Sequence, residues 1–287
     1  SFGFSLILKK KNYLLVDGRY TLQASKQSKK FFNIITLPSK KINHILKNNL
    51  LIGFDPKLIT RKTLDMLFRN YNSRFIPIKN NLIDEIWKRI NKIKKKKFFI
   101  LPNYSVGENY KSKVNKIILN LKKNKADYQF ITASENNAWL MNIRGHDAKY
   151  TPIPDSYVLI DKDKNIKFFC NIKKISKHLR RFFRKIEFLD IKNCHKVLLK
   201  IKKKKIIIDR NTCSIFFEKI INQNNKILNF TDPIYFLKAI KSKSEINNIK
   251  NAHIYDGIAL TKYIFFFKKN FYKKKITEIS ASNKLFE

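Results

Sequence analysis

Hydrophobic and polar positions alternate in short runs along the chain, and two stretches share one design. SLILKKKNYLLVD (residues 5–17) and SYVLIDKDKNIKFFC (156–170) each contain two apolar runs joined by a charged turn. Such runs predict β-hairpins. The two hairpins lie about 150 residues apart, which is one domain length. They therefore indicate two tandem copies of one fold, and a chance match of two hairpins remains the alternative.

Strand and helix patterns alternate over the first ~95 residues. LLIGFDPKLIT (50–60) predicts a strand that stops at Asp55-Pro56, and the proline of RFIPI (74–78) favours an edge strand. Two helices are predicted from apolar positions that share a face: Leu64, Leu67 and Tyr71 in the first, and Leu82, Ile83, Ile86, Trp87 and Ile90 in the second. This alternation predicts an α/β fold with a mixed sheet and flanking helices.

The alternation restarts after a lysine-rich linker candidate at 94–97. FFIL (98–101) and DYQFITA (127–133) predict strands, and SKVNKIILNLKKN (112–124) predicts a helix. KVLLKIKKKKIIIDR (196–210) and KILNF (226–230) are expected to complete the second sheet. The apolar run AWLM (138–141) predicts a buried strand that carries Trp139 and Met141.

The pattern changes after Asp232-Pro233. Ser242 and Glu245 have the spacing of a capping box, in which each side chain bonds the other's backbone amide. One long helix is predicted from there, and Thr277 opens another. We therefore expect domains at 1–96 and 97–236, followed by the start of a third region at 237–287.

The charge balance is strongly basic, with 62 Lys and Arg against 21 Asp and Glu. Such an excess can indicate nucleic acid or another anionic partner. However, most of the excess is lysine that is scattered along the chain, in turns between apolar strands. A binding arm is instead a long basic block without hydrophobic residues. We therefore interpret the charge as a solvated surface, and nucleic acid is not an expected partner.

The cysteines and the apolar runs restrict the compartment. Three cysteines without a CxxC pair, at 170, 194 and 213, indicate reduced thiols in a reducing compartment. No apolar run reaches the ~18 residues of a membrane span, so no membrane association is expected. The start, SFGFSLIL, has neither the basic region of a signal peptide nor a methionine. It is expected to continue an earlier part of a longer protein.

Six stretches follow one another along the chain: VDGRYTLQASKQ, IGFDPKLI, NLIDEIW, AWLMNIRGHDAKYTPIPDSY, KAIKSKSEINNIKNAHIYDGIAL and ITEISASNKL. In this order they resemble the three-domain, cytosolic Xaa-Pro aminopeptidases, which are creatinase- and prolidase-related metallopeptidases. The resemblance implies two tandem creatinase N-terminal-like domains followed by the first helices of a catalytic "pita-bread" domain. It also implies missing sequence before Ser1 and after Glu287.

The resemblance further implies an activity. The family removes the N-terminal residue from peptides whose second residue is proline, using two divalent metal ions, usually Mn²⁺, held by two Asp, one His and two Glu. In this chain those ligands are expected beyond Glu287. Residues 1–287 are expected to supply structure, contacts of a homodimer and part of the substrate entrance, in a cytoplasmic enzyme, and to be inactive alone.

No catalytic or metal-binding residue is therefore assigned. His253 and Asp256 are three positions apart on one helix, but they match a family helix outside the metal set. Within Arg144-Gly145-His146-Asp147, Arg144 is the candidate for the substrate entrance. Just upstream, Ser134-Glu135-Asn136 replaces the family's Leu-Asp-Glu run, which weakens any transfer of function from that turn.

The segment LLVDGRY (14–20) is interpreted as a strand-to-helix corner. Gly18 is expected to supply an unusual backbone angle there. Asp17 is expected to accept amides at the helix start or to pair with Arg19 or a lysine. A structural anchor is favoured over a catalyst.

Two other functions remain open. One is a catalytically inactive paralogue that acts as a basic binding or scaffold protein. The other is a paralogue with another substrate, such as a dipeptide or a creatine-like amidine.

Overall fold

The structure is a computed structural model that describes residues 3–28, 30–38, 50–68, 73–87, 96–273 and 276–286. The chain divides into two compact units, Ser1–Ile90 and Asn91–Glu287. The first half of the predicted linker at 94–97 lies outside the described residues, as do Tyr71 and Ile90. The boundaries of the three expected domains stay predictions.

The first unit contains a three-stranded sheet of order β1-β2-β3 and a two-stranded parallel pair, β4-β5. Its elements are β1 Gly3–Ile7, β2 Asn12–Asp17, α1 Thr21–Ser28, β3 Asn33–Leu37, β4 Leu51–Phe54, α2 Arg61–Phe68, β5 Arg74–Pro77 and α3 Leu82–Ile86. Leu6, Leu15, Ile35 and Leu67 form its core.

The second unit is built on a six-stranded mixed sheet of order β11-β10-β9-β7-β12-β13, with β6 and β8 paired separately. Its elements are β6 Phe99–Ile100, α4 Asn103–Val106, α5 Tyr110–Lys123, β7 Tyr128–Ile131, α6 Ser134–Met141, β8 Ile143–Arg144, β9 Ser156–Asp161, β10 Ile166–Cys170, α7 Lys177–Phe182, β11 Ile186–Asp190, α8 Cys194–Lys200, β12 Lys205–Ile208, α9 Ile215–Asn224, β13 Lys226–Asn229, α10 Ile234–Ala239, α11 Lys243–Asn270 and α12 Glu278–Phe286.

Both faces of this large sheet are buried. Phe168 and Cys170 of β10 belong to one apolar cluster, whereas Phe169 between them belongs to another. Successive side chains of a strand point to opposite faces, so a sheet covered on both sides gives continuous apolar runs. This explains why the sequences of β10 and β12 are almost uniformly apolar.

The two predicted hairpins are present, and the same connection follows each. β1 and β2 are antiparallel, and a short 3₁₀ helix (Gly18–Tyr20) and α1 then lead to β3, which is parallel to β2. β9 and β10 are likewise antiparallel, and a 3₁₀ helix (Ile172–Lys174) and α7 lead to the parallel strand β11. The two units therefore share a β-β-α-β arrangement, as the sequence repeat predicts.

The corner after β2 has the predicted anchor but not the predicted backbone angle. The Asp17 carboxylate accepts the backbone amide of Arg19 at 3.0 Å and its side-chain Nε at 2.8 Å. These hydrogen bonds lower the pKa of Asp17, and the bond from the Arg19 side chain has the largest effect. Gly18 does not have a positive φ; among the glycines of the described residues, Gly107 has a positive φ. The prediction for Gly18 is therefore wrong: the turn uses an ordinary helical entry.

Three further expectations require correction. Residues 196–200, expected in the second sheet, belong to helix α8, whose buried residues Cys194 and Leu198 are one helical turn apart. Residues 138–141 are the end of helix α6 and not a strand. In α3, Leu82, Ile83 and Ile86 are exposed within the first unit instead of forming a buried face.

The capping box and the long helix after it are confirmed. Within the described ranges, no helix has both the length and the apolar character that crossing a bilayer requires.

Candidate functional site

Arg144, the predicted substrate-entrance residue, lies in the short strand β8 directly after α6. Its Nη1 donates to the carbonyl oxygens of Ala138 at 2.5 Å and of Ile143 at 3.1 Å. A cation at the C-terminal end of a helix satisfies free carbonyls and complements the helix dipole. Burial lowers the pKa of Arg144, and the charge of Glu245 partly offsets this. The guanidinium is thus bound to the end of α6, and a role at an entrance stays a prediction.

A buried lysine lies beside this arginine. Lys113 of α5 is 1% exposed, and its Nζ donates to Trp139 O at 3.0 Å and to Asn142 Oδ1 at 2.7 Å. The ammonium also lies 4.0 Å from the centre of the Trp139 ring, within the range of a cation–π interaction. Burial lowers the pKa of Lys113 to about 8, although Glu245 and Glu108 oppose this shift.

The periodicity of α5 could have identified Lys113. Tyr110, Val114, Ile117 and Leu121 are buried on this helix, and position 113 is one turn before Ile117. Lys113 therefore belongs to the buried face.

Glu245, in the first turn of α11, acts on these cations through its charge. Its carboxylate accepts the Ser242 amide at 2.8 Å, and its own amide donates to Ser242 Oγ at 3.2 Å. Its negative charge partly offsets the lowering of the pKa of Lys113 and Arg144 that burial causes. We call Lys113, Trp139, Asn142, Arg144 and Glu245 the α11 junction. The two cations donate to oxygens at the end of α6, and their electrostatic attraction to Glu245 favours the position of the first turn of α11 beside them.

Gly107 allows the close approach on which this junction depends. It ends α4 with φ +66°, and a Cβ placed there would lie 2.2 Å from Ser242 Oγ. Asn248 of α11 also donates to Tyr104 O at 3.2 Å. Only glycine meets both demands, the left-handed angle and the short separation.

The remaining residues of the Arg144 loop have structural partners. The ring of His146 stacks on Phe99 with 5.6 Å between centroids. Asp147 forms a shielded ion pair with Lys174, and its other oxygen accepts the Asp155 amide at 2.8 Å. These contacts fix the loop that follows β8.

A second buried polar group was not predicted from the sequence. Asp232, just before α10, accepts hydrogen bonds from Gln129 at 3.1 Å, from Asn136 at 2.7 Å and from the Ile234 amide at 3.1 Å. Burial is the main cause that raises the pKa of Asp232 to about 6. Lys238 of α10 completes the group by donating to Asn136 Oδ1 at 2.6 Å. This network fastens α10 to β7 and α6.

The described residues do not fit a two-metal centre. Within them, no group of three or more His, Cys, Asp or Glu side chains could hold a metal ion. His253 and Asp256 are on the exposed surface of α11. The three cysteines are free and buried, as expected for reduced thiols that pack in the core.

The family profile for the Creatinase/Prolidase N-terminal domain matches residues 90–245. The chain belongs to this family. The match covers most of the second unit, including the large sheet, the Arg144 loop and the start of α11. The mixed α/β fold is accordingly creatinase/prolidase-like.

Comparisons with individual proteins extend over the rest of the chain. "Xaa-Pro aminopeptidase 1" of Dictyostelium discoideum is 28% identical over 308 residues, covering 99% of this chain and 49% of that protein. "Probable Xaa-Pro aminopeptidase P" of Coprinopsis cinerea is 31% identical over 194 residues, covering 63% of this chain and 31% of that protein. The chain thus spans about a third to a half of these relatives.

A solved structure shows the same fold. The X-prolyl aminopeptidase of Caenorhabditis elegans, described as a cytosolic enzyme with a di-nuclear active site, superposes with a TM-score of 0.87 at 22% identity. The superposition covers 99% of this chain and 49% of that one.

Proposed function

We propose that this chain is the N-terminal part of an Xaa-Pro aminopeptidase, which removes the first residue from peptides with proline at position 2. One observation carries the proposal: the similarity to a curated Xaa-Pro aminopeptidase extends over 99% of the chain. Because the matched relatives are named as peptidases, this proposal is favoured over an inactive scaffold protein. The proposed layout is two creatinase-like domains, 1–96 and 97–236, and the first helices of a peptidase domain, 237–287.

In this proposal the chain orients the catalytic part without performing the chemistry. The α11 junction holds the first turn of α11, which is the long helix of the proposed third region. Arg144 is proposed to help shape the substrate entrance by fixing the loop after β8. Contacts of a homodimer are proposed as a further role.

The proposed cofactors are two divalent ions, with Mn²⁺ as the expected metal. Since the described residues do not fit such a centre, we assign no ligand among them and route no step through the metals. The proposed location is the cytoplasm, and three free, buried thiols support a reducing compartment.

The test compares the isolated chain with the native protein that contains it. Both samples are incubated with the peptide Ala-Pro-Ala and Mn²⁺, with and without a chelator. The native protein, captured with an antibody against this chain, is expected to release alanine, and the chelator is expected to stop it. The isolated 287-residue chain is expected to release none. An inactive native protein, or chelator-sensitive turnover by the isolated chain, would refute the proposal.

A further inference from the structure

One edge of the six-stranded sheet concentrates positive charge. β7, β12 and β13 are mutually parallel, and β9 runs antiparallel to β7 and β10. The amino ends of β7, β10, β12 and β13 and the carboxyl end of β9 therefore share one edge. The residues there are 122–127, 161–165, 202–205 and 222–226, which we call the lysine edge. They comprise ten lysines and three aspartates, a net charge of +7 within twenty residues.

Backbone hydrogen bonds show that these segments are contiguous. The Lys226 amide donates to Lys204 O at 2.8 Å, the Asp127 amide to Lys205 O at 2.9 Å, and the Lys162 amide to Asp127 O at 3.0 Å. Two open depressions lie along the row, of about 540 Å³ beside 203–205 and of about 460 Å³ beside Lys162. Neighbouring strands are about 4.8 Å apart, so the edge is about 19 Å long.

The aspartates of the lysine edge do not neutralise it. Asp161 is occupied by the Asp163 and Asn165 amides, at 2.9 Å each. Asp127 accepts the Lys205 amide at 2.9 Å and forms a long ion pair with Lys162 Nζ at 3.9 Å, so three aspartates offset only three of the ten lysine charges. All ten lysines are exposed. Their charges therefore point outward as a row of cations.

We propose that the lysine edge binds the phosphodiester backbone of a nucleic-acid duplex. A duplex carries one negative charge per about 1.7 Å, hence on the order of ten charges along 19 Å. Lysines provide point charges that contact phosphates without reading sequence. The four segments contain no aromatic residue on which unpaired bases could stack. They also contain no exposed apolar side chain that could enter a membrane interface. These features of the four segments favour a duplex over a single strand or a lipid surface.

This inference goes beyond the peptidase proposal and does not depend on it. Composition alone argued against nucleic acid, since the lysines are scattered in sequence. The fold adds a new fact, because strand order brings four separate turns to one edge.

The test measures binding of the whole chain to a fluorescent 20-base-pair duplex, as DNA and as RNA, by anisotropy from 50 to 200 mM KCl. The test variant is Lys203→Gln, Lys204→Gln, Lys205→Gln. The matched control is Lys9→Gln, Lys10→Gln, Lys11→Gln, which removes three exposed lysines from the turn between β1 and β2. The test variant is expected to weaken binding at least tenfold at 100 mM KCl. Its log–log salt slope is expected to fall by about 2 to 3, since each lost phosphate contact removes about 0.9.

The control variant is expected to change binding less than threefold. Equal losses in the two variants would show that the diffuse charge of the chain binds the duplex, and would overturn the proposal. So would binding confined to single strands or to phosphatidylserine vesicles. Thermal melting verifies that both variants fold. The single variant Lys226→Gln gives a second measurement, with an expected loss of about threefold and a salt slope lower by about 0.9.

Discussion

The buried ammonium of Lys113 makes a specific prediction about stability and pH. The pKa of Lys113 is lowered from 10.5 to about 8 in the folded chain. Between these two pH values the unfolded chain binds more protons than the folded chain, so the stability contributed at this site rises with pH. Complete passage through this window is worth about 3–4 kcal/mol, because each pKa unit corresponds to about 1.4 kcal/mol.

The perturbation is Lys113→Met, which keeps the length of the side chain and removes the titrating group. At a single pH two effects oppose each other. Trp139 O and Asn142 Oδ1 lose their donor, which destabilises the folded chain by about 1–3 kcal/mol each. Removal of the desolvated charge stabilises the folded chain. The diagnostic quantity is therefore the slope of unfolding free energy against pH and not the stability at one pH.

The matched control is Lys111→Met, on the exposed side of the same helix. The assay is urea unfolding from pH 7.5 to 9.5 in a Trp87→Phe background, which leaves Trp139 as the single tryptophan fluorophore. The cysteines also contribute to the slope, because burial raises their pKa in the folded chain whereas they ionise near pH 9 in the unfolded chain; this contribution cancels between variants. Between pH 7.5 and 9.5, the unfolding free energy of Lys111→Met, which keeps Lys113, is expected to rise by about 2 kcal/mol more than that of Lys113→Met. Equal slopes would refute the assignment of Lys113 as a buried, charged lysine.

Three further predictions concern packing and burial. Gly107→Ala is expected to cost about 2 kcal/mol in urea unfolding, since it combines a left-handed angle with a clash against Ser242. Its control, Gly257→Ala, has nothing within 4 Å of the new Cβ and is expected to stabilise α11 by up to about 1 kcal/mol; an equal loss in both would contradict this. The pKa of Asp232 is raised to about 6, so the stability it contributes is full below about pH 4 and is lost as pH rises through 6. Asp232→Asn should remove this decrease of unfolding free energy with pH, measured by urea unfolding at several pH values. An unchanged pH dependence would show that another group causes it. Burial raises the pKa of the thiols, so Ellman's reagent at pH 8 is expected to label none in the native chain and all three after denaturation; rapid native labelling would exclude burial of Cys170, Cys194 and Cys213.

The features that were predictable from the sequence are those with local causes. A charged turn between two apolar runs predicted each hairpin. Ser242 and Glu245 are three positions apart, and their reciprocal hydrogen bonds need no distant partner. The alternation of strand and helix patterns predicted the α/β fold that the structure shows, and the order of the six stretches implied the creatinase-like family.

Helix α6 shows why other features were missed. Its eight residues, SENNAWLM, include Asn136 and Asn137, which are as buried as Leu140 and Met141. A helix that is buried on several sides has no polar face, so its sequence lacks the 3.6-residue period. The apolar run AWLM therefore resembled a strand. Asn136 is satisfied by a distant residue, since its partner Asp232 is 96 positions away along the chain.

The lysine edge and the Asp232 network depend on topology. The lysine edge brings together turns of separate strands, and the order β9-β7-β12-β13 cannot be read from any one segment. The Asp232 network joins residues of β7 and α6 to the turn before α10. Lys113 is the intermediate case, because the period of α5 marks it as buried but its partners lie on α6 and just beyond it.

If this chain belongs to an enzyme that acts on the bond before proline, substrate specificity is the decisive property. The native protein would be captured with an antibody against the chain and incubated with Ala-Pro-Ala, Ala-Ala-Ala and the dipeptide Ala-Pro in separate reactions with Mn²⁺. We expect release of alanine from Ala-Pro-Ala at a rate at least about a hundredfold above that from Ala-Ala-Ala, since a site shaped for the tertiary amide before proline has a dedicated fit for that bond. Comparable cleavage of the two tripeptides, or cleavage of the dipeptide alone, would contradict the assignment.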